Sequence, residues 1–116
     1  LIEYPADVIR ELAAIRSQSE QGVKLLAEAE TKAVRLELDA ELLEAKEFVK
    51  AGGTVADRQA VAKIMTGEAR LEAEIARVEV NRIKTKLRQL SEAMNATQTA
   101  GKMIELQWKT AGVESR

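Results

Sequence analysis

The chain has 116 residues, with 18 Lys and Arg against 19 Asp and Glu and a formal charge of −1. That length allows one domain, and the charge excludes a globally polycationic nucleic-acid binder, so any basic surface must be local. With no Cys and no His there is no disulfide framework, no thiolate metal site and no imidazole ligand or proton shuttle. Apolar residues make up 46%, much of it Ala, and Tyr4, Phe48 and Trp108 are the only aromatics, so a bulky self-contained core is not expected. The longest uncharged run, residues 93–101, is too short and too polar to cross a bilayer, and no secretory signal pattern is visible. Cytoplasmic residence without a membrane partner is the compatible reading. Because the chain opens on Leu1, a short leader or a trimmed start is expected ahead of it.

Pro5 is the only proline, and it suits a first helical turn; every position from 6 to 49 is then compatible with helix. Asp7 and Glu11 favour the positive end of that helix dipole. The break comes at "KAGGT", where Gly52 and Gly53 supply a stop and Thr54 an N-cap, and "TVAD" reads as a capping box with Asp57 in the place of the usual Glu. A short helix over about 55–65 follows, interrupted near Gly67, and a third runs over about 68–110. At about 1.5 Å per residue each long helix measures roughly 65 Å, and such helices must pack side by side.

The packing face is written in the spacing. Val8, Leu12, Ile15, Ser19, Gly22, Leu26, Ala29, Ala33, Leu36, Ala40 and Leu43 follow a strict 4,3 alternation. So do Ala69, Ala73, Ala76, Val80, Ile83, Leu87, Leu90, Met94, Thr97, Gly101, Ile104 and Trp108. This 3.5-residue period is that of a coiled-coil seam. The fold class expected is therefore all-α: residues 1–116 as a single long antiparallel helical hairpin, with residues 55–65 as a short helix at the apex that could fold back as a cap. Placing the weak spots Ser19/Gly22 and Thr97/Gly101 opposite each other predicts a register in which Leu12 meets Trp108, Ile15 meets Ile104, Ala33 meets Leu87 and Leu43 meets Ala76. Leu25, Val34, Leu38, Leu42, Val49, Leu71, Ile75 and Val78 fall off the seam, and so much leftover apolar surface points to a homo-oligomer.

Charge is segregated along the hairpin. Residues 28–47 carry seven acidic and three basic side chains, and residues 77–88 carry five basic ones, Arg77, Arg82, Lys84, Lys86 and Arg88, with one acidic. On a helical wheel Arg77, Lys84 and Arg88 fall on one side of the seam, and Arg82 with Lys86 on the other. Two readings follow. The stripe either pairs with the acidic half of the hairpin and is otherwise solvated, or it contacts phosphates in a salt-sensitive, weakly sequence-dependent way. Trp108 reads as core rather than as a base-stacking platform, and Tyr4 as a staple or an exposed contact. The glutamates at helical spacing (Glu28 with Lys32, Glu37/Glu41/Glu44, Glu68/Glu72) read as solvated faces, and "AGGT" lacks the Lys and the strand of a phosphate loop. No catalytic residue, metal or cofactor is expected; the chain does not read as an enzyme.

The long charged helix, the "GGTVADRQAVA" apex and the helix through "ARLEAEIARVEVNRIKTKLRQLSEAMNATQTAGKMIE" resemble small all-helical phage proteins, among them recombination mediators of the UvsY type. The resemblance is one of lengths and spacings. It implies an oligomer that binds single-stranded DNA weakly, helps load a recombinase onto strands covered by single-strand-binding protein, and works in the cytoplasm of a bacterial host. Arg77, Arg82, Lys84, Lys86 and Arg88 would then be the nucleic-acid-binding residues. The alternative is a structural or assembly protein, such as a phage scaffold or a holdase-like hairpin chaperone, whose charges serve only the seam.

Overall fold

The computed structural model describes residues 4–114. The fold is an all-α helical hairpin: α1 (Pro5–Lys50), α2 (Val55–Met65) and α3 (Gly67–Glu114), with no strand among the described residues. It divides into two compact units, Leu25–Lys84 and the pair of segments Leu1–Lys24 and Thr85–Arg116.

In the unit Leu25–Lys84 the chain reverses at the two glycines. The amide of Ala51 donates to the Glu47 carbonyl at 3.0 Å, the last helical bond of α1, and Gly53 then takes a φ of +99°. That backbone is cheap for glycine and strained for any residue with a Cβ. Thr54 starts α2 with the expected capping box: the Asp57 amide donates to Thr54 Oγ1 at 3.2 Å, and the Thr54 amide to Asp57 Oδ2 at 3.3 Å. Two orphan donors of the helix end are thereby satisfied. The Arg58 guanidinium lies 5.8 Å from the centroid of the Phe48 ring, which lays the start of α2 against the end of α1.

The interruption ahead of α3 falls at Thr66, not at the glycine beside it. Thr66 is fully buried, and both its amide and its hydroxyl donate to the Ala62 carbonyl, at 3.1 and 2.7 Å. Its own carbonyl accepts from the Arg70 amide at 2.9 Å, so Thr66 closes α2 and opens α3. Gly67 already belongs to α3 and has open space where a Cβ would stand. The short helix expected at the apex is α2, which starts the returning arm with Arg58 laid against Phe48 of α1. Beyond it, Ala33, Ala76 and Val80 form the core, with Leu26, Ala29 and Leu36 against them, and Ala40 and Ala73 are buried as well. Alanines dominate because small side chains let two helices approach closely.

In the other unit Val8, Ile15, Leu90, Thr97 and Ile104 are buried between α1 and α3. Two close approaches set the fit. A Cβ on Gly22 would stand 2.6 Å from Leu87 Cδ2, and one on Gly101 would stand 2.9 Å from Val8 Cγ1. Each glycine is a hole that receives a branched side chain from the opposite helix. Ser19 returns its hydroxyl to the Ile15 carbonyl at 2.9 Å, which satisfies it within its own helix.

Every residue of the α1 seam and all but one of the α3 seam are buried or half-buried, as their spacing predicts. The register differs. Leu87, expected on Ala33, packs on Gly22, eleven residues away, or about 16 Å along a helix. Ala76, expected on Leu43, clusters with Ala33, Val80 and Leu36. The cause is the position of the reversal: with α2 in the returning arm, the turn lies at Gly52 and Gly53 rather than near residue 60. Packing agrees, since the expected register would set Gly22 against Thr97 and Gly101 against Ser19, small side chains that leave space unfilled, whereas Leu87 and Val8 fill it. Trp108 is the seam residue that is not buried. It is 54% exposed and meets the edge of Tyr4, itself exposed, with ring centroids 6.0 Å apart and planes at 70°.

Replacing Gly53 with Ala is expected to cost about 1–2 kcal/mol, the price of a left-handed backbone at a residue with a Cβ. The added methyl would also stand 2.9 Å from Asp57 Oδ2, inside the capping box. Gly52→Ala meets nothing within 4 Å and is the matched control. Urea unfolding of the two variants separates the backbone requirement from a general effect of losing glycine.

Candidate nucleic-acid interface

The five basic residues singled out in the sequence all lie on α3, yet they do not share one environment. Arg77, Arg82 and Lys84 belong to the unit Leu25–Lys84, and Lys86 and Arg88 to the other. Within the first unit the Arg77 Nε donates to Glu37 Oε1 at 2.9 Å, with Nη2 at 2.8 Å from the same oxygen. Lys84 Nζ is 3.8 Å from Glu30 Oε1. Both cations thus reach carboxylates of α1, the partner the charge segregation predicts. Arg82 Nη1 donates instead to Glu79 Oε2 at 3.3 Å, one turn back on its own helix, and stays highly exposed. Lys86 and Arg88 are exposed and take part in no ion pair among the described residues.

A sixth basic residue belongs to this arrangement and was not singled out in the sequence: Arg70, which pairs with Glu44. The signal was present. Arg70, Arg77 and Lys84 stand seven residues apart, and so do Glu44, Glu37 and Glu30, so antiparallel helices bring them together as three successive rungs on one side of the seam. This also revises the reading of Glu37 and Glu44 as simply solvated: each has a cross-helix partner. Glu41, between them, has no ion pair among the described residues, although it lines the same shallow groove of about 360 Å³ with Ala40 and Ala73. The rungs are partly open to solvent, with side-chain exposure of 39% for Arg77 and 42% for Glu37, so each contributes only about 0.2–1 kcal/mol. Their value lies in specificity. A slip of one heptad would leave a cation or a carboxylate at the end of the ladder unpaired.

Chemically, Arg77 and Lys84 are engaged cations that would have to exchange a carboxylate for a phosphate. Arg82, Lys86 and Arg88 are available without that exchange. Lys86 and Arg88, two residues apart, are separated by about 200° around the helix, so they point to different sides of α3. Among the described residues no helix is long and apolar enough to cross a membrane, and no three His, Cys, Asp or Glu side chains gather as a metal site would need. Comparison of the chain with family models, with curated protein sequences and with solved structures finds no match.

Arg77→Gln is expected to lower stability by at most about 1 kcal/mol at low salt, with the loss shrinking as ionic strength rises. Urea titrations at two salt concentrations check this. An equal loss at both would mean that Arg77 matters through packing of its stem rather than through its charge.

Proposed function

We propose that this protein is an oligomeric helical binding protein that holds single-stranded DNA weakly through its phosphates and serves as a phage recombination mediator or accessory factor, helping to load a recombinase. The observation that carries the reading is the pair Lys86 and Arg88, exposed and free of ion pairs among the described residues, with Arg82 tied only to its own helix. Because Lys86 and Arg88 face different sides of α3, one copy offers a strand very few contacts at once. Binding by a single chain would therefore be weak, and repetition of the cations in an assembly would raise effective concentration. The eight off-seam apolar residues, from Leu25 to Val78, are all exposed, and that surface supports self-association. The strand would be held by display: repeated cations contact phosphate while other faces of the assembly engage the recombinase or single-strand-binding protein, in the cytoplasm of a bacterial host.

A structural or assembly role without nucleic acid is the second reading. It is favoured by the pairing of Arg77 with Glu37 and of Lys84 with Glu30, which assigns two of the five cations to the hairpin itself.

Fluorescence anisotropy of a labelled single-stranded oligonucleotide separates the two. For the mediator, binding weakens steeply between low and near-physiological salt. The Lys86→Gln, Arg88→Gln double variant then loses most of that affinity while light scattering reports an unchanged mass. Absence of binding at low salt, with an intact oligomer, would sink the DNA reading and leave the assembly role.

A further inference from the structure

Helix α1 carries a second apolar row that the hairpin does not use. Within the unit Leu25–Lys84 it runs Thr31, Val34, Leu38, Leu42, Ala45 and Val49, and every member is exposed, Val34, Leu38 and Leu42 by 52–56% and Val49 by 76%. Its spacing differs from that of the seam. The steps 4, 4, 3 from Val34 to Ala45 cover eleven residues in three turns, 3.67 residues per turn, whereas the seam keeps 3.5. On a 100° wheel the row is centred nearly opposite the seam, so the contacts with α3 leave it bare. A shallow groove lies along its first part, lined by Ala27, Thr31, Val34 and Leu38 and bordered by Glu30 and Arg35.

The charges beside this row repeat with the same eleven-residue period. Glu30 and Glu41 border one edge; Arg35 and Lys46 border the other, where Glu28 stands at the same angle as Lys46 and Asp39 slightly further round. This asymmetry selects the occupant and its direction. When two identical helices pack antiparallel through such a row, like edges meet, so on the acidic edge glutamate faces glutamate while the mixed edge meets itself. When they pack parallel, the acidic edge of each faces the basic edge of the other. A two-fold axis along the helices keeps the copies in register and brings Glu30 to Arg35 and Glu41 to Lys46 of the second copy, the five-residue offset that flanking charges take in parallel helix pairs. A row that is apolar from Val34 to Val49, and whose acidic edge finds bases only when the copies run parallel, fits a second copy of this chain.

We propose that a second copy docks in parallel, in register, along the outer row of α1, with Leu38 and Leu42 at the centre of the contact and Glu41–Lys46 pairs fixing its direction. This rests on the oligomeric half of the proposed function and supplies its interface. It also separates the roles of the two faces of α1: the 3.5-residue face closes the hairpin, and the 3.67-residue face joins hairpins.

The chain has no native cysteine, so single cysteines report cleanly. Val34→Cys and Ala45→Cys, made separately in the full chain, stand at the same row position one period apart. Both are expected to form disulfide-linked dimers on mild oxidation, because a parallel in-register pair sets each beside its own copy. An antiparallel pair can do so at one of the two at most, and linkage at only one overturns the proposal. Light scattering gives the second test. Glu41→Lys and Lys46→Glu should each weaken self-association about tenfold by setting like charges face to face, and the combined variant should restore it. Leu38→Glu should abolish it while circular dichroism remains helical. An oligomer that survives these changes and links at neither cysteine overturns the docking site but leaves the oligomeric reading standing. A monomer at all concentrations overturns both. Linkage at both positions in a chain that binds no DNA supports the interface while removing the DNA role.

Discussion

The place where the chain reverses governs the rest of the structure. Two long helices with a regular seam could pair in several registers, one heptad apart, at similar hydrophobic gain, since alanine and leucine recur along both. The left-handed backbone at Gly53 and the reciprocal bonds between Thr54 and Asp57 place the turn at one point. With that point set, Leu87 falls on Gly22, Val8 falls on Gly101, and the acidic rungs of α1 meet the basic rungs of α3. Weak surface ion pairs matter here because, within the unit Leu25–Lys84, they are in step with the turn. Their agreement disfavours slipped alternatives more than any single rung stabilises the native one.

Local features were readable from the sequence because local chemistry decides them. The 4,3 spacing identified the buried residues of both helices, the capping box was visible in "TVAD", and the off-seam residues are exposed as their spacing required. The pairing across the hairpin was not readable in the same way. It depends on whether residues 55–65 fold over the apex or extend the returning arm, and the helical propensity of those residues is the same in either case. Thr66 marks the joint between α2 and α3 with a buried hydroxyl, and a threonine between Met65 and Gly67 carries no such signal by itself. Trp108 shows that phase alone does not decide burial: it lies in the correct phase of the seam and is exposed.

The candidate site was legible as a composition and only partly as an arrangement. A cluster of five cations on α3 was plain, but which of them are engaged follows from the heptad match with Glu30 and Glu37, and Arg70 completes that match from outside the cluster. Counting charges within a window treats these residues alike. Counting them by helical phase separates the ladder from the cations left over, and it is the leftover cations on which a binding role rests.

The end of the hairpin where Tyr4 meets Trp108 has a practical consequence. Trp108 is the chain's sole tryptophan, and it stands in an aromatic edge contact rather than in the alanine-rich interior. Intrinsic fluorescence therefore watches that one aromatic contact. It registers the parting of the two rings, so the optical signal most convenient for following this protein reports on Tyr4 and Trp108 and not on the core of Ala33, Ala76 and Val80.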